Sequence, residues 1–198
     1  EKMNHSLKLA QSIKDYSLQV KVQSGWACGE ILGGELQQFR NISLSVVNLL
    51  KELEDPNLEF NIFFSFGEAF AKVGDFNNSN LWLAKALHVA RKLNSFNQIA
   101  DILAVLGIQT AQLPTESRLE LLHNLRESLD YFKQGLEIVI ENNLHLRKKA
   151  IMLHNSGTVH MRMDNKDLAF DNYNLALAIA EDTIKIGAKV LWLQLGIK

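Results

Sequence analysis

Small residues recur at nearly constant intervals along the chain, and this recurrence limits the folds that it can adopt. Ala27, Gly67, Gly107 and Gly157 are separated by 40, 40 and 50 residues, and Gly196 follows 39 residues later. Self-similarity at a fixed period is typical of stacked structural repeats. A residue with little or no side chain allows two helices to approach closely. The spacing therefore predicts a stack of helical hairpins, with one close crossing in each hairpin.

Helical periodicity of apolar residues supports this interpretation. Apolar residues follow helical spacing between positions 63 and 73 and again between 83 and 93, and no segment alternates as a strand does. Gly74-Asp75 stands between the two runs, where glycine ends one helix and aspartate caps the next. Extended along the chain, the pattern predicts helices over 2–13, 16–32, 35–53, 58–73, 76–93, 96–112, 116–142, 145–163, 166–185 and 188–197.

The helix predicted over 116–142 is longer than the others. About ten extra residues enter the repeat here, and one apolar stripe continues through them. The helix follows Gln112-Leu113-Pro114-Thr115, and Thr115 is the predicted N-cap. We expect this long helix to project beyond its neighbours and to offer a second contact to a partner.

Composition excludes several classes of function. The 21 basic and 22 acidic residues give a net charge of −1, so the chain has no general attraction for nucleic acid or anionic lipid. The longest apolar stretch, near 190–197, is about half of the ~20 residues that span a membrane. The single cysteine, Cys28, excludes an intramolecular disulfide. A soluble, cytoplasmic protein that binds neither membranes nor nucleic acid is expected.

The repeated residues resemble the tetratricopeptide repeat. That family's hairpins carry a large residue, a Leu-Gly pair, an aromatic residue, a Gly-Asp turn and small residues in the second helix. One copy here consists of Phe63, Phe66-Gly67, Phe70, Gly74-Asp75, Ser79, Leu83 and Ala86. Two further copies consist of Leu153, Ser156-Gly157, Ala169, Tyr173 and Ala176, and of Leu103, Leu106-Gly107, Ser128, Phe132 and Gly135. The first copy is degenerate, because Phe39 stands where a small residue is usual.

The resemblance implies an all-α fold, a right-handed α-α superhelix of four to five hairpins in a single domain over 1–198. The period near 40 is similar to long-repeat variants found in signalling scaffolds and in bacterial peptide-sensing regulators. The chain begins without methionine and ends in an apolar segment, which suggests a fragment of a longer protein. Such arrays bind peptides on an inner face that is lined by the first helix of each hairpin.

Carrying the family's inner-face positions onto this chain gives the candidate binding residues. The positions named for the ligand groove are Asn61, Phe64, Glu68, Lys72, Asp101, Ile108, His154, Thr158 and Arg162, and the same register adds Lys21, Ser24, Cys28, Leu32, Ala104 and Ile151. The lysine-asparagine clamp with which some members hold a C-terminal carboxylate is absent, because Glu68 occupies one of its positions and would repel the carboxylate.

Two other features permit alternative interpretations. Gly25, Gly29 and Gly33 recur every four residues along one predicted helix, where each glycine costs roughly 1 kcal/mol relative to alanine. Either they allow close packing against a neighbouring helix, or they form a flat groove floor for a ligand. The basic cluster at 147–149 is either a solvated turn or a receptor for an acidic segment of a partner.

No enzyme signature is present in the sequence. The six histidines and one cysteine have no zinc-ligand spacing, and the glycines near 25–34 lack the lysine of a phosphate-binding loop. We therefore expect no catalysis, no metal and no cofactor. The leading hypothesis is an interaction module or scaffold that binds a protein or peptide; the alternative is a ligand-sensing regulatory domain of a larger multidomain protein. Self-association through the last helix is also expected, on Leu191, Trp192 and Leu195.

Overall fold

A computed structural model describes Lys8, Leu9, Ser12 and residues 14–194, with side chains through Asp182. This part of the chain contains eight α helices and no strand, which confirms the all-α class. The helices are α1 (Tyr16–Gly33), α2 (Leu36–Leu53), α3 (Pro56–Lys72), α4 (Phe76–Lys92), α5 (Phe96–Ala111), α6 (Arg118–Glu141), α7 (Leu146–Arg162) and α8 (Lys166–Gln194). None of the helices in the described part is long and apolar enough to span a membrane.

The predicted helix boundaries agree with the structure to within about two residues, except at the end of the chain. A break was predicted at 186–187, but α8 runs through it without interruption. A single glycine inside a helix, here Gly187, costs only about 1 kcal/mol and need not end it. The predicted helix 2–13, Leu195, Gly196 and the side chains of Leu191 and Trp192 lie outside the described residues.

Carboxylates cap the beginnings of several helices. The side chain of Asp15 accepts a hydrogen bond from the Leu18 amide (2.8 Å), and Asp75 accepts one from the Asn78 amide (3.1 Å). Asp55 caps α3 in the same way. Each of these oxygens satisfies an amide that has no partner inside its helix, and its charge favours the positive end of the helix dipole.

The cap of the long helix α6 differs from the prediction. Ser117, rather than Thr115, accepts a hydrogen bond from the Glu120 amide (3.1 Å). Glu120 in turn accepts one from the amide of Glu116 (2.9 Å), so each of the two side chains satisfies a backbone amide at the start of the helix. This pair of bonds places the start of α6 two residues later than predicted.

Residues with a left-handed backbone join successive helices. Gly34 and Gly74 have φ values of 81° and 78°, and Asn94, Asn143 and Asp164 take the same position in other turns with φ of 51°, 48° and 63°. Backbone bonds that close each turn accompany them, such as Asp75 N–H to the Phe70 carbonyl (3.0 Å). This arrangement is typical of helix C-termini, and it reverses the chain within a few residues.

The chain forms two compact units, residues 1–95 and 96–198. In the N-terminal unit α1 pairs with α2 and α3 with α4, and α3 also packs against α1. In the C-terminal unit α5 pairs with α6 and α7 with α8, and α7 also packs against both α5 and α6. In the part of the chain that the structure describes, each unit therefore contains two consecutive hairpins, and the first helix of the second hairpin lies on the first hairpin. The single domain over 1–198 stays a prediction.

The predicted close crossings occur at the glycines. A Cβ atom added to Gly67 would lie 2.7 Å from the Leu83 side chain, which is buried. Added to Gly107, it would lie 2.6 Å from the ring of Phe132. Real Cβ atoms do not approach other carbons so closely, so a bulky side chain of the second helix occupies the space that any other residue would fill.

A buried serine reinforces two of these crossings. Ser79 donates a hydrogen bond to the Gly67 carbonyl (2.9 Å), and Ser128 donates one to the Gly107 carbonyl (2.7 Å). Both hydroxyls are buried, and each satisfies its donor on the glycine backbone of the partner helix. The small residues expected in the second helix therefore act as hydrogen-bond donors as well as spacers.

Alanine substitutions at two glycines of the N-terminal unit should change stability in opposite directions. Gly67→Ala forces the buried Leu83 side chain to move, and we expect it to lower the free energy of unfolding by about 1–3 kcal/mol. Gly29→Ala meets no heavy atom within 4 Å in the described part of the chain, and it should raise that free energy by about 0.5–1 kcal/mol. Urea unfolding of both variants measures the difference. Equal midpoints would contradict the crossing at Gly67.

Candidate functional site

The residues predicted on α3 form one line along its surface. Asn61 and Lys72 are exposed, and Phe64 and Glu68 between them are half-buried. The ring of Phe64 stacks on that of Phe60, with centroids 5.5 Å apart and an angle of 14° between the planes. This line is therefore accessible, with polar ends and one aromatic ring.

Cys28 of α1 belongs to the same surface. Its thiol lies 3.8 Å from the Ser65 carbonyl, as a weak donor. Burial raises the pKa of the Cys28 thiol; Lys72 acts against this and lowers the pKa, and Glu68 raises it further. Since charges on α3 reach a group on α1, the predicted positions of the two helices come together on one face. The raised pKa keeps the thiol protonated and weakly reactive at neutral pH.

The glycine strip on α1 makes no close helix contact in the described part of the chain. No described heavy atom lies within 4 Å of a Cβ placed on Gly25, Gly29 or Gly33, and all three are exposed. The prediction of close packing against another helix is therefore wrong, and the groove-floor interpretation stays a prediction. Ser24 was also assigned to the groove, but it is buried and donates to the Lys21 carbonyl (3.0 Å).

In the C-terminal unit, two of the predicted groove residues bind other residues of the same unit. Asp101 of α5 accepts a hydrogen bond from the ammonium of Lys148 of α7, and the two form an ion pair. The guanidinium of Arg162 donates to the carbonyl of Ala111 at the end of α5. Both side chains therefore hold α7 against α5. They are less available to a ligand than the sequence predicts.

His154 and Thr158 stay on the surface of α7, although both contact α8. The Tyr173 hydroxyl lies 3.2 Å from the Thr158 hydroxyl, and the His154 ring is centred 5.5 Å from the Tyr173 ring. Ile108 of α5 is also exposed. Among the predicted residues of this unit, His154 and Ile151 border a cavity.

That cavity is an apolar groove of about 400 Å³ between α7 and α8. Its walls include Ile151 and His154 from α7 and Tyr173, Leu177 and Ala180 from α8; Arg147, Ala150, Asn155 and Ala176 complete the lining. Ile151 and Leu177 are 41% and 58% exposed, and none of the described lining residues is acidic. The groove combines an uncovered aliphatic surface with one cation, Arg147.

The groove has an occupied counterpart in the same unit. Gly157 faces Tyr173 as Gly107 faces Phe132, and these two equivalent contacts align the sequence of the α7–α8 hairpin with that of the α5–α6 hairpin. In this register Ala150, Ala176 and Ala180 correspond to Ala100, Gly135 and Val139. The methionine side chain of Met152 packs on those three residues of the α5–α6 hairpin. We call the surface formed by Ala100, Gly135 and Val139 the socket of the α5–α6 hairpin, and the equivalent surface formed by Ala150, Ala176 and Ala180 the socket of the α7–α8 hairpin. Helix α7 fills the first socket, and the second is open in the described part of the chain.

The sequence interpretation missed the α8 half of the groove. It assigned ligand positions to first helices alone, so Tyr173, Leu177 and Ala180 were not considered as ligand contacts. A signal was present, since Tyr173 and Ala176 belong to the same repeat copy as Gly157. Comparison of the repeat copies position by position would have indicated that both helices of a hairpin line the socket.

The basic residues of the cluster at 147–149 have different surroundings. Lys148 is paired with Asp101, whereas Arg147 lines the α7–α8 groove. The N-terminus of α7 is capped by His145, whose Nδ1 accepts from the Arg147 amide (3.1 Å). One member therefore stabilises the unit and another is available to a partner.

Among the described residues, no group of three histidine, cysteine, aspartate or glutamate side chains is arranged to hold a metal ion. No protein-family model matches the chain, and a search of curated proteins gives no significant match.

The pKa of Cys28 should respond to the two charges on α3 with opposite signs. Lys72→Ala removes the charge that lowers the pKa and should slow alkylation of the thiol by iodoacetamide below its pKa. Glu68→Gln removes a charge that raises the pKa and should accelerate alkylation. Alkylation rates measured against pH test both changes, with Lys21→Ala on α1 as the control. A titration that Lys72→Ala leaves unchanged would contradict the contact between the two helices.

Proposed function

We propose that this chain is a protein-interaction module of tetratricopeptide type, and that its α7–α8 groove binds a helical segment of a partner protein. The match between the two sockets of the C-terminal unit carries the proposal. One of them accepts a helix of this chain, and the other presents the same kind of surface without a described occupant.

The occupied socket indicates which side chains the partner presents. Met152 packs in one buried cluster with Ala100 and Val139, and Val159, two turns later, packs in another with Ala111 and Leu125. Positions seven residues apart lie on one face of a helix. A partner helix with a methionine-sized or leucine-sized residue at each of two such positions fits this surface.

Two differences between the hairpins alter the specificity of the open groove. In the α5–α6 hairpin, whose socket is occupied, Asp101 pairs with Lys148; the equivalent residue of the α7–α8 hairpin is Ile151. Likewise, Arg147 of the α7–α8 hairpin stands where the α5–α6 hairpin has Asn97. The open groove therefore disfavours a lysine at the position where α7 carries one, because its charge would face isoleucine. An acidic residue near Arg147 is favoured in its place.

The energetic contribution comes from covering the aliphatic side chains. Complete burial of an isoleucine or a leucine contributes about 1.5–3 kcal/mol. Ile151 and Leu177 are each about half exposed, so a partner that covers both gains on the order of 2 kcal/mol from them, before association costs. The two residues favour binding without fixing its orientation, which Arg147 and His154 then determine.

The right-handed superhelix belongs to this proposal. The support for it is the repetition of one contact: glycine against a bulky side chain occurs at Gly67, Gly107 and Gly157. Second-helix serines bind the glycine carbonyl in two of these cases. Stacked hairpins with this crossing form binding surfaces from their exposed helices.

A pair of arginine substitutions on α8 tests the proposal. Ala180 lines the groove and Ala178 does not, and both are exposed. Ala180→Arg should fill the groove with a charged side chain and abolish partner binding, whereas Ala178→Arg should leave it unchanged. A photo-crosslinking residue in place of Leu177 identifies the bound segment in lysate of the source cell. Each variant should change the free energy of unfolding by no more than about 0.5 kcal/mol.

Crosslinks of equal yield with Ala180→Arg and Ala178→Arg would exclude the α7–α8 groove as the binding site. Sequencing of the crosslinked segment is a second check. We expect an amphipathic helix whose apolar positions repeat at intervals of about seven residues. An extended, polar segment would contradict the match with α7.

A further inference from the structure

A second groove, in the N-terminal unit, arises from the residue at which the first repeat departs from its pattern. Phe39, found where a small residue is usual, is buried. Its ring makes edge-to-face contacts with Phe66 (5.3 Å between centroids), Phe70 (5.1 Å) and Trp82 (5.9 Å). Edge-to-face pairs of this kind are the preferred arrangement of aromatic rings and stabilise the cluster beyond area burial. Phe39 of α2 thus joins aromatic residues of α3 and α4 in one cluster.

Three members of this cluster line a groove of about 510 Å³ between α2 and α4. Phe39, Phe70 and Trp82 lie in the floor, and Leu44 and Leu81 line the walls. Both leucines are largely exposed, at 65% and 63%. Large exposed leucines beside a half-buried tryptophan form a contiguous apolar surface, which is typical of a protein-binding site.

The charges that line this groove have one sign. Arg40 of α2 and Lys85 of α4 are part of the lining, and none of the described lining residues is acidic. The Lys85 ammonium lies 3.9 Å from the Trp82 ring centroid, over the aromatic floor. Neither cation has a carboxylate within salt-bridge distance in the described part of the chain. Asp75, near the groove, accepts hydrogen bonds from the backbone and side chain of Asn78.

We propose that the α2–α4 groove binds an acidic amphipathic segment of a partner protein. Its apolar side chains cover Phe39, Trp82 and the two leucines. One of its carboxylates accepts two hydrogen bonds from the Arg40 guanidinium, whose planar donors match a carboxylate. A second carboxylate pairs with the ammonium of Lys85, which keeps its contact with the Trp82 ring. The site is independent of the α7–α8 groove and lies in the other unit.

Charge also argues against a second copy of this chain as the occupant. Two copies that paired through the same groove would bring Arg40 and Lys85 of each toward the cations of the other, and like charges oppose association. The exposed leucine walls favour a long segment over a small anion, because a small anion leaves them uncovered. An acidic helix satisfies both the apolar floor and the cations.

The experiment uses two synthetic amphipathic peptides that differ only in charge. The first repeats Leu-Glu-Glu-Leu-Phe-Glu-Glu, and in the second lysine replaces every glutamate. Binding to the full chain is measured by fluorescence anisotropy at low and at physiological salt. We expect the acidic peptide to bind, the lysine peptide not to bind, and added salt to weaken the acidic complex.

Charge reversal in the groove provides the decisive variant. Arg40→Glu/Lys85→Glu should weaken binding of the acidic peptide on the order of tenfold or more and should create binding of the lysine peptide. The matched control is Lys51→Glu/Lys92→Glu, which makes the same change in net charge on the same two helices but outside the groove. Leu44→Ala/Leu81→Ala should weaken the acidic complex at every salt concentration, since it removes apolar contact alone.

Two results would overturn the proposal. One is failure of the parent chain to bind the acidic peptide, and the other is equal loss of binding in the groove and control charge variants. If the chain fails to bind the peptide but binds phosphatidylcholine vesicles that contain phosphatidylserine, and the groove variant loses this binding, the cations are assigned to a lipid surface. Because all six substituted residues are exposed, similar melting temperatures should accompany the variants.

Discussion

The close approach of a glycine backbone to one bulky side chain is the contact on which three of the four described hairpins depend. The side chain of Leu83 packs on Gly67, that of Phe132 packs on Gly107, and that of Tyr173 packs on Gly157. The partner side chain fills the volume of the missing Cβ atom, which brings the two helices together and fixes their register. Once the register is fixed, the faces that remain exposed are also determined. The α7–α8 groove is a consequence of this register, because its lining residues lie at fixed distances along the two helices from the Gly157 crossing.

Departures from the repeat then give each exposed surface its chemistry. Phe39 replaces a small residue and extends an aromatic cluster across α2, α3 and α4. Ile151 of α7 stands at the position that Asp101 takes in α5, where the aspartate pairs with Lys148. A regular repeat would bury or pair these positions alike in every hairpin. The irregular residues are therefore the ones that distinguish one groove from another, and specificity depends on such differences.

Sequence reasoning predicts the crossings and the helix order because both depend on local spacing. Glycine at a fixed interval and an apolar stripe of helical period are visible without any structure. The strip at Gly25, Gly29 and Gly33 shows the limit of this approach, since its spacing suggests packing although the three residues are exposed. Whether a neighbour covers a helix face depends on tertiary contacts, which one stretch of sequence does not contain.

The candidate site was harder to predict because one side chain can serve a ligand or the fold. Asp101 and Arg162 occupy inner-face positions of the repeat, yet an ion pair with Lys148 and a bond to the Ala111 carbonyl use them inside the unit. Their partners lie 47 and 51 residues away in sequence. Tyr173 and Leu177 show the opposite case. They line the groove, although they lie on a second helix and the repeat pattern places ligand contacts on first helices alone. A groove belongs to two helices, so its residues are found when both helices of each hairpin are compared with an equivalent hairpin that is already filled.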